Sequence, residues 1–142
     1  MSSLNDLPRD EYAFPGPLRD RLVVAILDGR KTSTTALLAE TQHEGEPLPS
    51  PGDRRVVVDS DDRPVCITEV TEVRVVRLDE VDLAHAVAEG EGYGTVARWR
   101  AAHEEFWHSP LFRAALGDLE FAVDDATPVV LERFSVLPLS AA

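Results

Sequence analysis

Residues 29–38 read G-R-K-T-S-T-T-A-L-L, two cations and four hydroxyls between a glycine and an apolar run. Lys31 is the only lysine among 14 basic side chains, the others all being arginine. The two cations differ chemically. An ammonium is a compact charge that can release its proton when desolvated, whereas a guanidinium effectively cannot. A threonine hydroxyl is a weak nucleophile until a neighbouring base takes its proton, and a neutral lysine is such a base. If the segment is extended, Lys31, Ser33 and Thr35 share one side and Thr32 and Thr34 the other. A turn at Thr32–Ser33 instead brings Lys31 and Thr34 together. The plainer alternative is a solvated lysine favourably placed beyond the C-terminus of a helix.

A second chemistry-bearing stretch is A-E-G-E-G-Y-G, residues 88–94. Glu89 and Glu91 are carboxylates of the kind that serve as general acid or base, among glycines that let a ligand approach the backbone. On sequence alone, a solvated acidic linker between two helices is the simpler reading. The histidines suggest no metal site: His103 and His108 are five apart, not the four that align two ligands on a helical face. His103, Trp99, Phe106 and Trp107 read as core. Arg54, Arg55, Arg98 and Arg100 form a basic patch only if the fold brings them together.

The elements that position these residues follow from periodicity. Residues 1–12 are polar and expected to be mobile. After the turn-rich A-F-P-G-P-L (13–18), a helix is expected over 17–28, with a stripe of Leu18, Leu22, Val23, Ile26 and Leu27. Gly29 stands where a left-handed cap belongs, so Arg30 and Lys31 lie just beyond a helix end. A proline- and glycine-rich loop spans 43–54. Strands are expected over 54–60 and 63–78, the second so long that it must bend near Glu69–Glu72. A helix over 78–90 takes Asp79 as its N-cap. Another covers 95–108 and buries Val96, Trp99, His103 and Phe106. A short helical piece follows Ser109–Pro110, and a strand over 125–139 closes the chain, with 119–123 as a possible strand before it. Helices and strands mix without a regular βαβ alternation, which predicts an α+β fold around a small, mostly antiparallel sheet or barrel.

Composition sets the limits. A chain of 142 residues suits one domain with a real core. No apolar run approaches the length of a membrane span, no secretory signal opens the chain, and Cys66 has no disulfide partner. A cytoplasmic protein is the default expectation. Net charge is −12, so any contact with a phosphate backbone must rest on local positive charge. Neither a cofactor nor a metal is expected, and nothing specifies an oligomeric state.

Taken in order, F-P-G-P, G-R-K-T-S-T-T-A-L-L, L-P-S-P-G-D-R-R-V-V-V-D, A-E-G-E-G-Y-G-T-V-A-R-W-R-A-A-H-E-E-F-W and V-V-L-E-R-F-S-V resemble the ASCH domain family, from about Phe14 to Phe134. That family belongs with the PUA-like RNA-binding domains. The resemblance implies one domain over 13–142: a small, mostly antiparallel β-barrel flanked by helices. It also implies a cleft for RNA or a nucleotide- or nucleoside-like ligand, lined by Phe14, Arg30, Lys31, Thr32, Ser33, Thr34, Arg54, Glu89, Tyr93 and Arg98. Some small members look like amidohydrolases acting on acylated cytidines through a Lys, a Thr and a Glu. Those roles would fall here on Lys31 as base, Thr34 as nucleophile and Glu91 as proton carrier. Other members are RNA-binding proteins or ribonucleases, and a non-catalytic metabolite-sensing module is a further option.

Overall fold

The computed structural model describes residues 4–142. Pro17, whose missing N–H costs nothing in a first turn, opens α1 (Pro17–Leu27). Leu22, Val23, Ala25 and Ile26 bury its inner face, whereas Leu27 of the expected stripe, at the helix end, is 52 % exposed. Gly29 ends it with a positive φ of 85°, letting the Lys31 N–H reach back to the Ala25 carbonyl at 2.9 Å. The chain then enters β2 (Ser33–Leu37) and a short helix, α2 (Leu38–Glu44), which the periodicity does not announce.

β3 (Arg54–Val58), β4 (Pro64–Arg77) and β5 (Pro128–Leu137) form the antiparallel centre of the sheet. β1 (Arg9–Asp10) runs parallel to β3, and β2 runs antiparallel to β5, giving the order β1-β3-β4-β5-β2. The fold is therefore α+β with a mostly antiparallel sheet, as expected. The sheet is open, with β1 and β2 as its edges, and so does not by itself establish the expected small barrel.

β4 slips register against β5 between Val70 and Glu72, where its length required a bend. β3 pairs with β4 only up to Glu69, whereas β2 pairs with residues 129–133 of β5, which face β4 beyond the slip. The bulge thus divides one long ribbon into two arms, each carrying its own outer strand. Arg55 of β3 makes an ion pair with Glu132 of β5, so the arms fold toward each other.

Apolar alternation along β5 sends Val129 and Leu131 to one core and Phe134 to another. The first core gathers Leu37, Leu78, Val81, Trp99, Trp107 and Phe112; the second gathers Tyr12, Leu22, Val23, Ile26, Val57 and Cys66. Burial of the second core pushes the Cys66 thiol up to about 11.

The helices on the first core begin at side-chain caps. Thr95 caps α4 (Val96–Trp107) and Ser109 caps α5 (Pro110–Leu116). Within α4 only Trp99 and Trp107 are fully buried, so the face turned inward is Trp99–His103–Trp107 rather than one running through Val96. The helix expected over 78–90 is shorter: a 3₁₀ turn covers Leu78–Glu80, and α3 (Leu83–Ala88) starts after Asp82, which replaces Asp79 as its cap. Residues 119–123 form no strand. No described helix is long and apolar enough to cross a membrane.

The segment 1–12, expected to be mobile, contributes to the fold from Pro8 onward, whose carbonyl accepts from the Val56 N–H at 2.9 Å; residues 1–3 lie outside the described residues. Arg9 and Asp10 extend the sheet, and Tyr12 is only 7 % exposed in the second core. Arg19, itself buried, anchors the turn by donating to the carbonyls of Tyr12 (3.1 Å) and Ala13 (2.8 Å). Removing residues 1–12 should therefore lower stability measurably in chemical denaturation. Tyr12→Ala alone should cost about 3 kcal/mol, the range for truncating a buried aromatic side chain. A truncated chain as stable as the full one would show these contacts to be dispensable.

Candidate functional site

The site begins with one glycine. Gly90 has a φ of 74°, and a Cβ added there would lie 2.6 Å from the backbone of Arg30 and Lys31. Only glycine allows this approach. Beside it, the Thr32 N–H donates to the Ala88 carbonyl at 2.8 Å, so the end of α3 is fastened to the start of the β2 strand. Fastening places Lys31 against Glu89. Both are almost fully buried, at 1 % and 2 % exposure, and Lys31 Nζ stands 3.6 Å from Glu89 Oε1. Nζ also donates to the carbonyls of Ser33 (2.8 Å) and Glu89 (3.4 Å).

The Glu89 carboxylate collects donors from three more elements. His85, one turn earlier on α3, has Nε2 at 3.5 Å from Oε2. His103 of α4 brings Nε2 to 3.3 Å from Oε1. The Trp99 indole N–H and the Thr35 hydroxyl (3.0 Å) donate to Oε2. Burial by itself would raise this carboxyl, but the hydrogen bonds of His103 and His85 and the charges of His103 and Lys31 outweigh it. Glu89 is held well below the usual carboxylate range. In return, burial would lower His103, yet Glu89 through its hydrogen bond and charge, the Trp99 carbonyl and Glu91 raise it above its ordinary 6.5.

Glu91 responds oppositely to its neighbour. Burial and the Glu89 charge raise it, opposed by Lys31, His103 and Arg21. Glu89, Glu91 and His103 offer ligand atoms within 4.8 Å of one another, the geometry of a possible cation site among the described residues. His103 donates through Nδ1 to the Trp99 carbonyl (2.8 Å) and faces Glu89 with Nε2. A raised histidine here favours N–H on both nitrogens, and a metal would first have to displace that proton.

Lys31, Glu89 and Glu91 open onto a cleft of about 1050 Å³ that crosses edge strand β2 and reaches Asp10, Tyr12, Arg55 and Glu132. Lys31 Nζ lies 5.8 Å from the Tyr12 ring centre, which ties the two walls together. Phe14, packed on Phe106, and Tyr93, set edge-on to His103, also line it.

The expected site residues divide accordingly. Phe14, Lys31, Thr34, Glu89, Glu91 and Tyr93 share the cleft. No hydrogen bond joins Lys31 to Thr34 among the described residues; Lys31 is engaged with the Ser33 and Glu89 carbonyls. Thr34 pairs with Glu132 in the β2–β5 ladder and forms no side-chain hydrogen bond among the described residues, whereas Thr35 meets Glu89. Ser33 is buried and donates to the His85 carbonyl. Arg30, Thr32, Arg54 and Arg98 do not line the cleft: Arg30 pairs with Asp28 and Arg54 with Glu69. The arginines do not converge, since Arg55 serves Asp10 and Glu132 while Arg100 serves Glu104 and Asp125. Sequence reasoning passed over His85 and the polar roles of Trp99 and His103, and it set Thr35 on the Lys31 side without giving it a role. The available signal was spacing: His85–Glu89 and Trp99–His103 are each four apart on a helix.

Two measurements probe this geometry. Gly90→Ala adds a backbone collision to an unfavourable φ and should cost about 3 kcal/mol or more in denaturant unfolding. Gly92→Ala, with a similar φ but open space around it, should cost only about 1 kcal/mol. Equal losses would show that the contact with Arg30–Lys31 is not tight. The pH profile has two limbs. Glu89, depressed in the folded state, contributes stability that is full above its ordinary 4.5 and lost as pH falls through its folded value. His103, raised in the folded state, contributes below 6.5 and loses that contribution as pH rises through its folded value. Stability measured from about pH 4 to about pH 9 should decline on the alkaline side in the wild type, and the decline should flatten in His103→Gln.

The ASCH domain family model matches residues 10–138. An ASCH domain from Lactobacillus crispatus JV V101 is similar in structure, with a TM-score of 0.77 at 29 % identity, covering 91 % of this chain and 78 % of that one. A protein of Enterococcus faecalis V583 gives a TM-score of 0.76 at 24 % identity, covering 92 % and 76 %. No curated protein matches the chain. With the family model spanning nearly its whole length, the chain belongs to the ASCH domain family.

Proposed function

We propose that the cleft binds a nucleoside-like moiety, free or as part of RNA, with the Lys31–Glu89 pair at its floor. The observation that carries this reading is a buried ion pair opening onto a roomy cleft with aromatic and polar walls, the usual form of a small-ligand site. RNA binding as a theme of the family supports it. The charge of the cleft supports the nucleoside over the phosphate as the recognised part: nine Asp and Glu side chains line it against four of Lys and Arg. Lys31 is already matched by Glu89, Arg55 by Asp10 and Glu132, and Arg9 by Asp62, which leaves Arg21 as the one lining cation without an ion pair among the described residues. Phosphate contacts depend on unmatched cations, which the cleft holds in short supply.

A second reading, amide hydrolysis on an N-acylated cytidine, is favoured by one observation. Glu89 is held ionised while the adjacent Glu91 is raised, and carboxyl groups pushed apart in this way can divide electrostatic and proton-transfer duties. In this reading Glu91 passes a proton to the leaving amine. Lys31 in its neutral form exchanges its bond to the Ser33 carbonyl for one to the Thr34 hydroxyl and takes its proton as Thr34 attacks the acyl carbonyl, and water then releases the acyl group from Thr34.

Binding and chemistry separate in one set of measurements. Calorimetric titration with nucleosides and short RNA should show binding that Lys31→Ala weakens by about tenfold or more, since it strands the Glu89 charge. Unchanged binding in that variant would remove Lys31 from the site. N4-acetylcytidine hydrolysis, lost in both Lys31→Arg and Thr34→Ala, would establish the catalytic reading. An inactive wild type that still binds would leave a binding domain.

A further inference from the structure

Opposite the Lys31–Glu89 pair, the cleft has a second polar wall built from three strands. Asp10 comes from β1, Arg55 from β3 and Glu132 from β5. Arg55 Nη1 lies 3.6 Å from Asp10 Oδ2 and hydrogen bonds to Glu132 Oε2 at 3.4 Å. The same nitrogen is 3.1 Å from Glu132 Oε1, within ion-pair range, yet Oε1 accepts no hydrogen bond. Glu132 is only 6 % exposed. A buried carboxylate oxygen without a donor is costly, and a costly vacancy beside a ligand cleft is a place for the ligand's own donor.

The charge balance of the wall agrees. One guanidinium serves two carboxyl groups. Burial raises both Glu132 and Asp10, and Arg55 offsets that only in part. An incoming N–H would relieve the shortage. An incoming carbonyl oxygen would set one acceptor against another. Thr34 stands opposite Glu132 in the ladder and lines the same cleft, so the wall continues into the hydroxyl segment.

We propose that Glu132, held by Arg55 and flanked by Asp10, is a specificity-determining acceptor that receives a ring amino group of the ligand. This rests on the nucleoside reading and adds to it a class of base: those with an exocyclic amine, in preference to those with oxygen at that position. Lys31 and Glu89 hold the ligand on one wall; Glu132 reads it on the other.

The test compares cytidine with uridine and adenosine with inosine, pairs that exchange an amino group for oxygen. Dissociation constants are measured by calorimetry for wild type, Glu132→Gln and Glu132→Asp, with the thermal melt of each recorded. The wild type should bind the amino member of at least one pair about tenfold more tightly, as expected for a hydrogen bond to a charged acceptor. Glu132→Gln, whose amide presents donor and acceptor alike, should reduce that ratio to about twofold or less. Glu132→Asp, with its carboxylate drawn back by one methylene, serves the same purpose if the Gln variant does not fold. Equal binding within both pairs by the wild type, or a preference that survives in a folded variant, overturns the assignment. In both of those cases nucleoside binding itself stands. A wild type that binds none of the four overturns that reading and this one together.

Discussion

An ionised carboxylate buried inside a small domain has to be surrounded by donors, and the arrangement around Glu89 meets that requirement. Moving a bare carboxylate out of water is prohibitive, so the group either neutralises or recruits partners. Here the partners come from four places: Lys31 before β2, Thr35 on it, His85 on α3, and Trp99 with His103 on α4. None of these elements adjoins all the others in sequence. Their mutual placement is set by a charge that none of them can leave uncompensated. Removing a single donor would leave a buried anion short of a partner, the costly half of a broken ion pair.

The second constraint is geometric. β4 is a 14-residue strand that pairs along almost its whole length with β5, and the slip at Val70–Glu72 divides the ribbon into two arms. One arm carries β3 and β1, the other carries β2. Arg55 reaching Glu132 is the sign that the arms approach across the space between them, and that space is the cleft. The same bulge that lets a long strand fit a small domain thus creates the two walls on which polar groups face each other.

Electrostatics then narrows what the cleft can hold. The net charge of −12 is not relieved locally by a concentration of arginines; most of them are spent on neighbouring carboxylates at the surface. What remains inside is a set of matched ions and carboxyl groups with spare acceptor capacity. Such a lining suits a neutral, donor-bearing ligand better than a polyanion.

Much of the architecture was written in local patterns. The α1 stripe and its glycine cap, the long bent strand, the helix around Trp99 and the α+β class all follow from periodicity and turn residues, because those depend on neighbours along the chain. Lys31 stood out by residue type, and its sharing a side with Ser33 and Thr35 followed from strand alternation. Other features were decided only by tertiary contact. Residues 9–12 look like a polar tail until β3 offers an edge to Arg9–Asp10 and the second core takes Tyr12. Glu89 reads as a solvated linker residue until the Gly90 contact presses it against Lys31. Arg54, Arg55 and Arg100 read as part of a possible patch until each finds its own carboxylate. Sequence by itself determined which side chains are able to carry charge, donate or attack, and which segments are helix or strand. Only the folded chain decided which of those charges are buried and paired, because desolvation and ion pairing depend on distances between segments far apart along the chain.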